Sequence, residues 1–348
     1  MTGDFIDNNG LDFKNCKFIS IEDYEQLSRK IKPEVNDILF ARYASVGDVR
    51  YVETDIKFLI SYSCAIIKCN KDIVGRFLFY YLQSNRIQYQ IEININTGSQ
   101  RNIGIDSLKK LTIFIPKIEE QERIGNYFQQ LDKLIEQKEK KYQKLKQFKK
   151  AMLDKMFPKN GADTPEIRFK GFIGKWEEKE INELFIVTRG DVLAATETSS
   201  QKSEKMPYPV YSSQTKNNGL LGFYKKYLFE NAITWTTDGA NAGTVKYREG
   251  KFYSTNVNGV LLSNDGYANL AIAEILNNIA WKHVSYVGNP KLMNNVMSKI
   301  KIIIPNTIEE QIQISKYIKQ LDKQIDLQQK ELEKLKNIKK ASLAKMFV

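Results

Sequence analysis

"IEEQERIGNYFQQLDKLIEQKEKKYQKLKQFKKAMLDKMF", residues Ile118 to Phe157, returns near the other end of the chain as "IEEQIQISKYIKQLDKQIDLQQKELEKLKNIKKASLAKMF", residues Ile308 to Phe347. The two stretches lie 190 positions apart and agree at 22 of 40 positions. Counted from Phe128, Leu131, Ile135, Tyr142, Leu145, Met152 and Met156 recur at steps of three and four or multiples of them. Ile318, Leu321, Ile325, Leu332, Leu335 and Met346 hold the same seam in the second copy. That spacing marks the apolar face of a long heptad-like helix. Polar residues interrupt both seams at matching places, Lys138 with Gln328 and Lys149 with Lys339, which fixes register at some cost in stability. No proline or glycine falls between Asn126 and Phe157 or between Ile308 and Phe347. Each helix can therefore run unbroken for about 55–60 Å. Such a rod needs a partner of similar length, and the other copy is nearest. Two related units in one chain pair most simply about a pseudo-twofold axis, so the rods are expected to be antiparallel.

What precedes each rod also repeats, more weakly. "LKKLTIFIP" and "MSKIKIIIP" read as strands stopped by Pro116 and Pro305, and the acidic "IEEQ" that follows suits a helix N-terminus. Upstream, "DILFARYASVGDVRYVET" matches "AITWTTDGANAGTVKYREG" as strand, polar turn, glycine and strand. "FLISYSCAIIKCN" and "FYSTNVNGVLLSN" are further strand-like runs, each followed by a short helix, "VGRFLFYYLQS" and "NLAIAEILNNI". The polar loops differ: "ARYAS" faces "TTDGAN", and "GSQRN" faces "GNPKL". A shared frame with unlike loops suggests two recognition modules with different ligands. Gly47, Gly98, Gly243 and Gly288 are expected at turns that need positive φ, and Phe77, Phe79, Tyr80 and Tyr81 are expected in a helix core.

The 348 residues carry a formal charge of +12, with 42% hydrophobic and 11% aromatic residues. Two folded domains are expected, with an acidic partner: nucleic acid first, an anionic membrane or acidic protein second. The N-terminus has no signal-peptide pattern and no apolar run approaches membrane-span length, so no membrane role is expected. Cys16, Cys64 and Cys69 lack a CxxC spacing and His283 is the sole histidine, which disfavours a zinc site. Cys64 reads as a small buried thiol. The chain reads as cytoplasmic.

The order and duplication of these features resemble the specificity subunit of a type I restriction-modification system. The resemblance rests on "IEEQ" after each proline, rods ending "AMLDKMF" and "ASLAKMF", "PEIRFKGFIGKWEEKEINEL" opening the second module, "YPVYSSQTKNNGLLGFY" and "LISYSCAIIKCN", and it covers nearly the whole chain. It implies an α+β fold with two mixed α/β target-recognition domains, each followed by a long helix, the two helices pairing as an antiparallel coiled coil. The expected divisions are 1–117 and 160–306 for the target-recognition domains, and 118–159 and 307–348 for the helices. The family's role is to recognise a bipartite site on double-stranded DNA and to dock two methyltransferase subunits and restriction/translocase subunits. S-adenosylmethionine, ATP and Mg are expected on those partners and no cofactor on this chain. Helix length would then set the separation of half-sites against the ~34 Å turn of B-DNA. One departure stands out. Nothing in the first module matches the opening "TPEIRFKGFIGKWEEKEINEL", so it is expected to be N-terminally incomplete, with sheet edges left open. A non-functional or spare specificity cassette is the alternative within the family.

Sequence is read by polar side chains at base edges, whereas charge supplies affinity. In the first module the candidate DNA contacts are Arg42, Tyr43, Ser45, Gln100, Arg101 and Asn102; Arg101 could fork onto guanine, and Gln100 or Asn102 onto adenine. In the second, Gln214, Thr215, Lys216, Asn217 and Asn218 form one polar loop, and Thr237, Asp238, Asn241 and Lys291 form others. Lys225, Lys226, Lys246 and Arg248 are expected on phosphates. An autonomous DNA methyltransferase or nuclease is the rival from another class. There is no GxxxxGK[ST] loop, "VGNPKL" lacks the second proline and aromatic of a methyltransferase motif, and His283 has no evident nucleophile beside it. The chain is therefore expected to be a non-catalytic DNA-recognition subunit.

Overall fold

The computed structural model describes residues 6–7, 10–11, 13, 16–98, 100–159, 161–213 and 216–347. It divides into two compact units, one of residues 1–141 and 328–348 (unit 1) and one of residues 142–327 (unit 2). Unit 1 begins with strands β1 (Ile6–Asp7) and β2 (Gly10–Leu11) and helix α1 (Ile21–Leu27). Strands β3 (Ile38–Ala41), β4 (Val49–Tyr51) and β5 (Cys64–Ile67) and helices α2 (Gly75–Tyr81), α3 (Asn85–Ile93) and α4 (Ile105–Lys109) follow. Helix α5 (Ile118–Met156) passes from unit 1 into unit 2. Unit 2 continues with β6 (Glu177–Glu180), α6 (Ile181–Leu184), β7 (Ile186–Arg189), β8 (Tyr208–Tyr211), β9 (Leu220–Tyr224), β10 (Phe229–Thr236), β11 (Val245–Ser254) and β12 (Asn258–Leu262). Helices α7 (Leu270–Asn277) and α8 (Asn294–Met297) and strand β13 (Lys301–Ile304) complete it, and α9 (Ile308–Met346) returns to unit 1.

Each long helix is 39 residues. The expected seam is the dry side of both: Phe128, Leu131, Ile318, Leu321 and Leu332 are buried, while the neighbouring lysines and glutamates are exposed. Within unit 1 the helices are antiparallel. Tyr127 meets Ser342, Asp132 meets Lys339 at 2.7 Å, and Lys138 meets Glu331, so numbers rise along one helix as they fall along the other. Within unit 2, Lys149 meets Asp322 at 2.6 Å and Glu274 of α7 at 3.4 Å. Asp132 and Asp322 are equivalent positions in the repeat, as are Lys149 and Lys339. The two units thus make the same acid–base contact with the helices exchanged. Three of the polar interruptions of the seam, Lys138, Lys149 and Lys339, are paired across the helices, whereas Gln328 bonds Glu331 of its own helix. The Lys138 ammonium, hydrogen-bonded to Glu331, holds that carboxyl below the usual carboxylate range. One seam position differs: Met346 is 43% exposed, whereas its neighbour Phe347 is 4% exposed.

In unit 1, Phe347 lies against Phe77, Tyr81 and Phe128, and of the aromatic core expected in α2 Phe77, Tyr80 and Tyr81 are buried while Phe79 is half-buried against it. Burial, reinforced by Asp132, which accepts the Tyr80 hydroxyl, pushes that phenol far above its ordinary pKa. In unit 2, Met156 and Phe157 enter the core beside Trp176. Each helix therefore ends as a plug in the unit that the other helix begins beside.

The "IEEQ" repeat has a local explanation. Gln121 and Gln311 are each 1% exposed and donate from Nε2 to the carbonyl of the preceding proline, Pro116 at 2.9 Å and Pro305 at 3.1 Å. Gln121 Oε1 accepts from the Val74 amide, and Gln311 Oε1 from Asn269 Nδ2. These bonds tie the first turn of each rod to its module. A Gln311→Leu variant leaves the buried Pro305 carbonyl without its Gln311 donor and removes one of the two hydrogen bonds of the Asn269 side-chain amide, and should lose about 1–3 kcal/mol in denaturant unfolding followed in unit 2. An unchanged midpoint would refute the clamp.

The sheets are unequal. Unit 2 has a six-stranded sheet in the order β7-β12-β10-β11-β8-β9 and a two-stranded ladder of β13 with β6; unit 1 has β4-β3-β5 and the pair β1-β2. β3, β4 and β5 match β10, β11 and β12 in sequence pattern, and Cys64 is buried as expected. The strand expected over "LKKLTIFIP" does not form: α4 takes its start, and residues 111–117 join no ladder among the described residues. Its counterpart β13 is a strand because β6 pairs with it. Positive φ occurs at Gly47, Gly243 and Gly288 but not at Gly98. Among the described residues no helix is long and apolar enough to cross a membrane.

Candidate nucleic-acid interface

The central strands of unit 2 alternate by two, as a pleated sheet requires. Ile233, Trp235 and Val245 face the main core, and the Trp235 indole donates to the Leu292 carbonyl at 3.0 Å. Thr234, Thr236, Lys246 and Arg248 take the intervening positions, with Thr234 opposite Lys246 and Thr236 opposite Asn258 in the ladders. These residues line an open cavity of about 300 Å³ together with Ser212, Ser213, Asn218, Asn241 and Thr244. Four of the expected DNA-contacting residues, Asn218, Asn241, Lys246 and Arg248, are thus brought to one site.

Arg248 departs from its expected place on a phosphate. It is only 7% exposed, its guanidinium sits 3.8 Å from the centre of the Tyr211 ring, Nε donates to Thr234 Oγ1 at 3.1 Å, and one terminal nitrogen donates to the Asn218 carbonyl at 2.8 Å. Burial lowers its pKa from the ordinary arginine value, and the adjacent Tyr211 works against that shift. The cation holds the Asn217–Asn218 turn, whose two asparagines have φ of 51° and 59°, against the sheet. Asn and Asp are the side chains that best tolerate this left-handed region after glycine. Asn258, 1% exposed, lines the same cavity, and its Nδ2 has no hydrogen-bond partner among the described residues. An unsatisfied donor in a polar, open cavity can donate to a ligand's hydrogen-bond acceptor.

The other expected residues of unit 2 are dispersed. Gln214 and Thr215 lie outside the described residues, and Lys216 opens the tight turn Lys216–Gly219. Lys225 and Lys226 are exposed after β9, as a phosphate contact requires. Thr237 is 7% exposed and spends its hydroxyl on the Val257 carbonyl and Asp238, both at 2.8 Å, so it supports the turn from within. Asp238 and Lys291 are bridged and lie 3.6 Å apart as an ion pair.

That bridge belongs to a frame both units share. In unit 2, Lys291 bridges Asp238 and Ser285, and the Leu292 amide donates to the Thr237 carbonyl. In unit 1, Asn102 bridges Tyr43 and Asn96, and the Ile103 amide donates to the Arg42 carbonyl. The turns after β3 and β10 also close alike, with the Gly47 amide on the Ala41 carbonyl and the Gly243 amide on the Thr236 carbonyl. The frame brings Arg42, Tyr43 and Asn102 together: Arg42 donates to the Ile103 and Tyr62 carbonyls, and Tyr43 packs edge-on against Tyr62 at 5.5 Å. Ser45 and Gln100 are exposed, and Asn102 Nδ2 donates to the Gln100 carbonyl. Arg101 is half-exposed and ion-paired with Glu92. It must break that pair to fork onto a base.

Nothing in the sequence singled out Ser212, Ser213, Thr244 or Asn258. The available signal was polar residues at alternate positions of apolar strands, as in "AITWTT" and "STNVNGV".

With this geometry in view, the chain was compared with known proteins. The family model described as type I restriction modification DNA specificity domain matches residues 3–147 and 173–337. A type I specificity subunit N-terminus from Mycoplasma pneumoniae is 39% identical over 126 residues, 35% of this chain and 66% of the relative, just under two thirds of its length. A type I restriction enzyme specificity subunit from Methanocaldococcus jannaschii is 26% identical over 345 residues, covering 92% of this chain and 80% of the relative. Among solved structures, the S subunit of a type I restriction-modification system from M. genitalium superimposes with a TM-score of 0.69 at 22% identity, over 92% of this chain and 85% of that one, a likeness of fold. The repeated modules, the paired helices and a family match over both repeats together show that this chain belongs to the type I restriction-modification DNA specificity family.

Proposed function

We propose that the chain is the DNA-reading subunit of a type I restriction-modification assembly, with each unit recognising one half of a bipartite duplex site. The observation that carries this reading is the shared frame with unlike side chains: Tyr43, Asn96 and Asn102 in unit 1 stand where Asp238, Ser285 and Lys291 stand in unit 2. A conserved scaffold with exchanged polar groups at the same bridge positions suits two readers of different base sequences. In unit 2 the polar cavity offers amide and ammonium donors to base edges, and Lys225 and Lys226 offer charge to the backbone. The chain supplies no chemistry of its own. Methyltransferase subunits bring S-adenosylmethionine, and restriction subunits bring ATP and Mg, to the DNA that this subunit selects.

The test is co-expression with a modification subunit followed by methylome sequencing. Asn241→Ala together with Lys246→Ala should cost about 1–3 kcal/mol of discrimination, roughly fivefold to 150-fold, and relax one half of the methylated site while the other half stays unchanged. Lys225→Ala and Lys226→Ala should weaken binding evenly across sequences, each lowering the salt slope by about one. Equal change in both halves after the Asn241/Lys246 substitution would reject the assignment of one half-site to one unit.

A further inference from the structure

Unit 2 contains a segment that completes it, and the described residues of unit 1 contain no counterpart. In unit 2, residues 163–184 run past the start of α9 and pair β6 with β13. Arg168 grips Glu310 with two hydrogen bonds of 2.7 Å, and its other N–H groups reach the Gly174 and Ile173 carbonyls. Phe169 packs edge-on against Tyr317 at 5.8 Å. Strand β6 then aligns Glu177, Glu178, Lys179 and Glu180 with Ile304, Ile303, Ile302 and Lys301, with Lys301 paired to Glu178 at 2.9 Å. Under this cover Glu310 is 1% exposed, Ile302 1% and Ile304 3%.

The equivalent positions of unit 1 lie open. The run to Pro116 aligns with the run to Pro305, so Ile113, Phe114 and Ile115 match Ile302, Ile303 and Ile304, while "IEEQ" sets Glu120 against Glu310 and Tyr127 against Tyr317. Phe114 is 56% exposed, Ile115 46% and Tyr127 40%, and Glu120 is exposed too. Buried Ile304 and Glu310 are replaced by exposed Ile115 and Glu120, and half-buried Ile303 and Tyr317 by exposed Phe114 and Tyr127, while Ile113 stays packed against the unit 1 core.

The backbone agrees on which edge is open. In unit 2 the Ile300 carbonyl accepts from the Ile181 amide, so alternation puts Ile302 and Ile304 on the edge that faces β6. Their matches are Ile113 and Ile115. On the opposite edge of the unit 1 segment, the Thr112 amide and carbonyl bond the Gln90 side chain, and the Phe114 amide bonds the Tyr81 hydroxyl. Those bonds hold residues 112–114 extended. Lys109, Lys110 and Lys117 flank the open edge and are exposed, a charge suited to an acidic strand. An open, apolar, extended edge is a template for strand addition.

We propose that the Ile113–Ile115 edge of unit 1, with Glu120, is a docking site for a second polypeptide. That partner presents an arginine-bearing segment ending in an acidic β-strand, of the kind residues 163–184 supply inside unit 2. The arginine takes Glu120, and the strand adds antiparallel to residues 112–115.

The test uses the full chain and a fluorescently labelled synthetic peptide copying residues 163–184. Saturable binding is expected, with hydrogen-exchange protection gained at Ile113 and Ile115. Glu120→Arg in the chain should weaken binding at least tenfold, and a peptide carrying Arg168→Glu should recover most of that loss on the Glu120→Arg chain. Ile115→Pro, at an exposed position, removes one edge amide and should weaken binding in the same way. Absence of binding, binding indifferent to both substitutions, or protection confined to unit 2 would overturn the proposal. No DNA takes part, so its failure leaves the DNA-reading function untouched.

Discussion

Phe347→Ala should destabilise unit 1 by about 3–5 kcal/mol, the usual cost of emptying a buried phenylalanine site, and leave unit 2 at its original stability. Phe347 lies next to the end of the sequence, where truncation is ordinarily harmless. Here it is 4% exposed, stacked on Phe128 at 17° between ring planes and in contact with Phe77 and Tyr81. Its repeat-mate Phe157 sits in the other unit's core. Phe157→Ala should therefore injure unit 2 and spare unit 1. Native-state hydrogen exchange separates the two outcomes, read at β3 for unit 1 and at β10 for unit 2. If either substitution lowered protection equally in both units, the crossed plugging described here would be wrong.

Removing seven residues, 140–146, from α5 alone should cost one unit about 3 kcal/mol or more, whereas removing 140–146 and 324–330 together should cost much less. The reason lies in the anchors at either side. Asp132 and Lys138 are bound to Lys339 and Glu331 in unit 1, and Lys149 is bound to Asp322 in unit 2. Both helices are continuous between these anchors, so shortening one by two turns makes one set of contacts slip. A half-buried Lys149 without its carboxylates is then a strongly destabilising defect. Removal from both keeps the anchors opposite one another and the seven-residue phase intact. Thermal unfolding of the two variants decides the matter, and equal melting temperatures would exclude register-fixed pairing.

The long helices were legible because their information is local and repeated: apolar residues at steps of three and four, no breaker, and a second copy for comparison. The Gln–proline clamps were visible only as a motif, since their meaning depends on a fold-back of five or six residues. The expected strand before Pro116 failed although its composition matches β13. A strand is completed by its neighbour: Lys301 to Ile304 have β6 along one edge, whereas Thr112 and Phe114 are bonded by two side chains, from α2 and α3, on the opposite edge. The Arg168–Glu310 grip joins residues 142 positions apart and leaves no periodic trace. Candidate DNA residues fared according to burial. Asn218, Asn241 and Lys246 converge on one cavity, but nothing in "KYREG" said that Arg248 would fold inward onto Tyr211 instead of facing solvent.

The reciprocity of the seam bears on how such a gene can be rearranged. Because α5 carries both Asp132 and Lys149, and α9 both Asp322 and Lys339, an exchange of either outer portion still delivers an acid opposite a base. The middle is not interchangeable. Lys138 faces Glu331, but their mirror positions hold Gln328 and Lys141, so a chain built from two copies of α5 would set lysine against lysine there. The ends permit shuffling of heads, and the centre disfavours the homotypic product only by the small cost of an exposed like-charge pair.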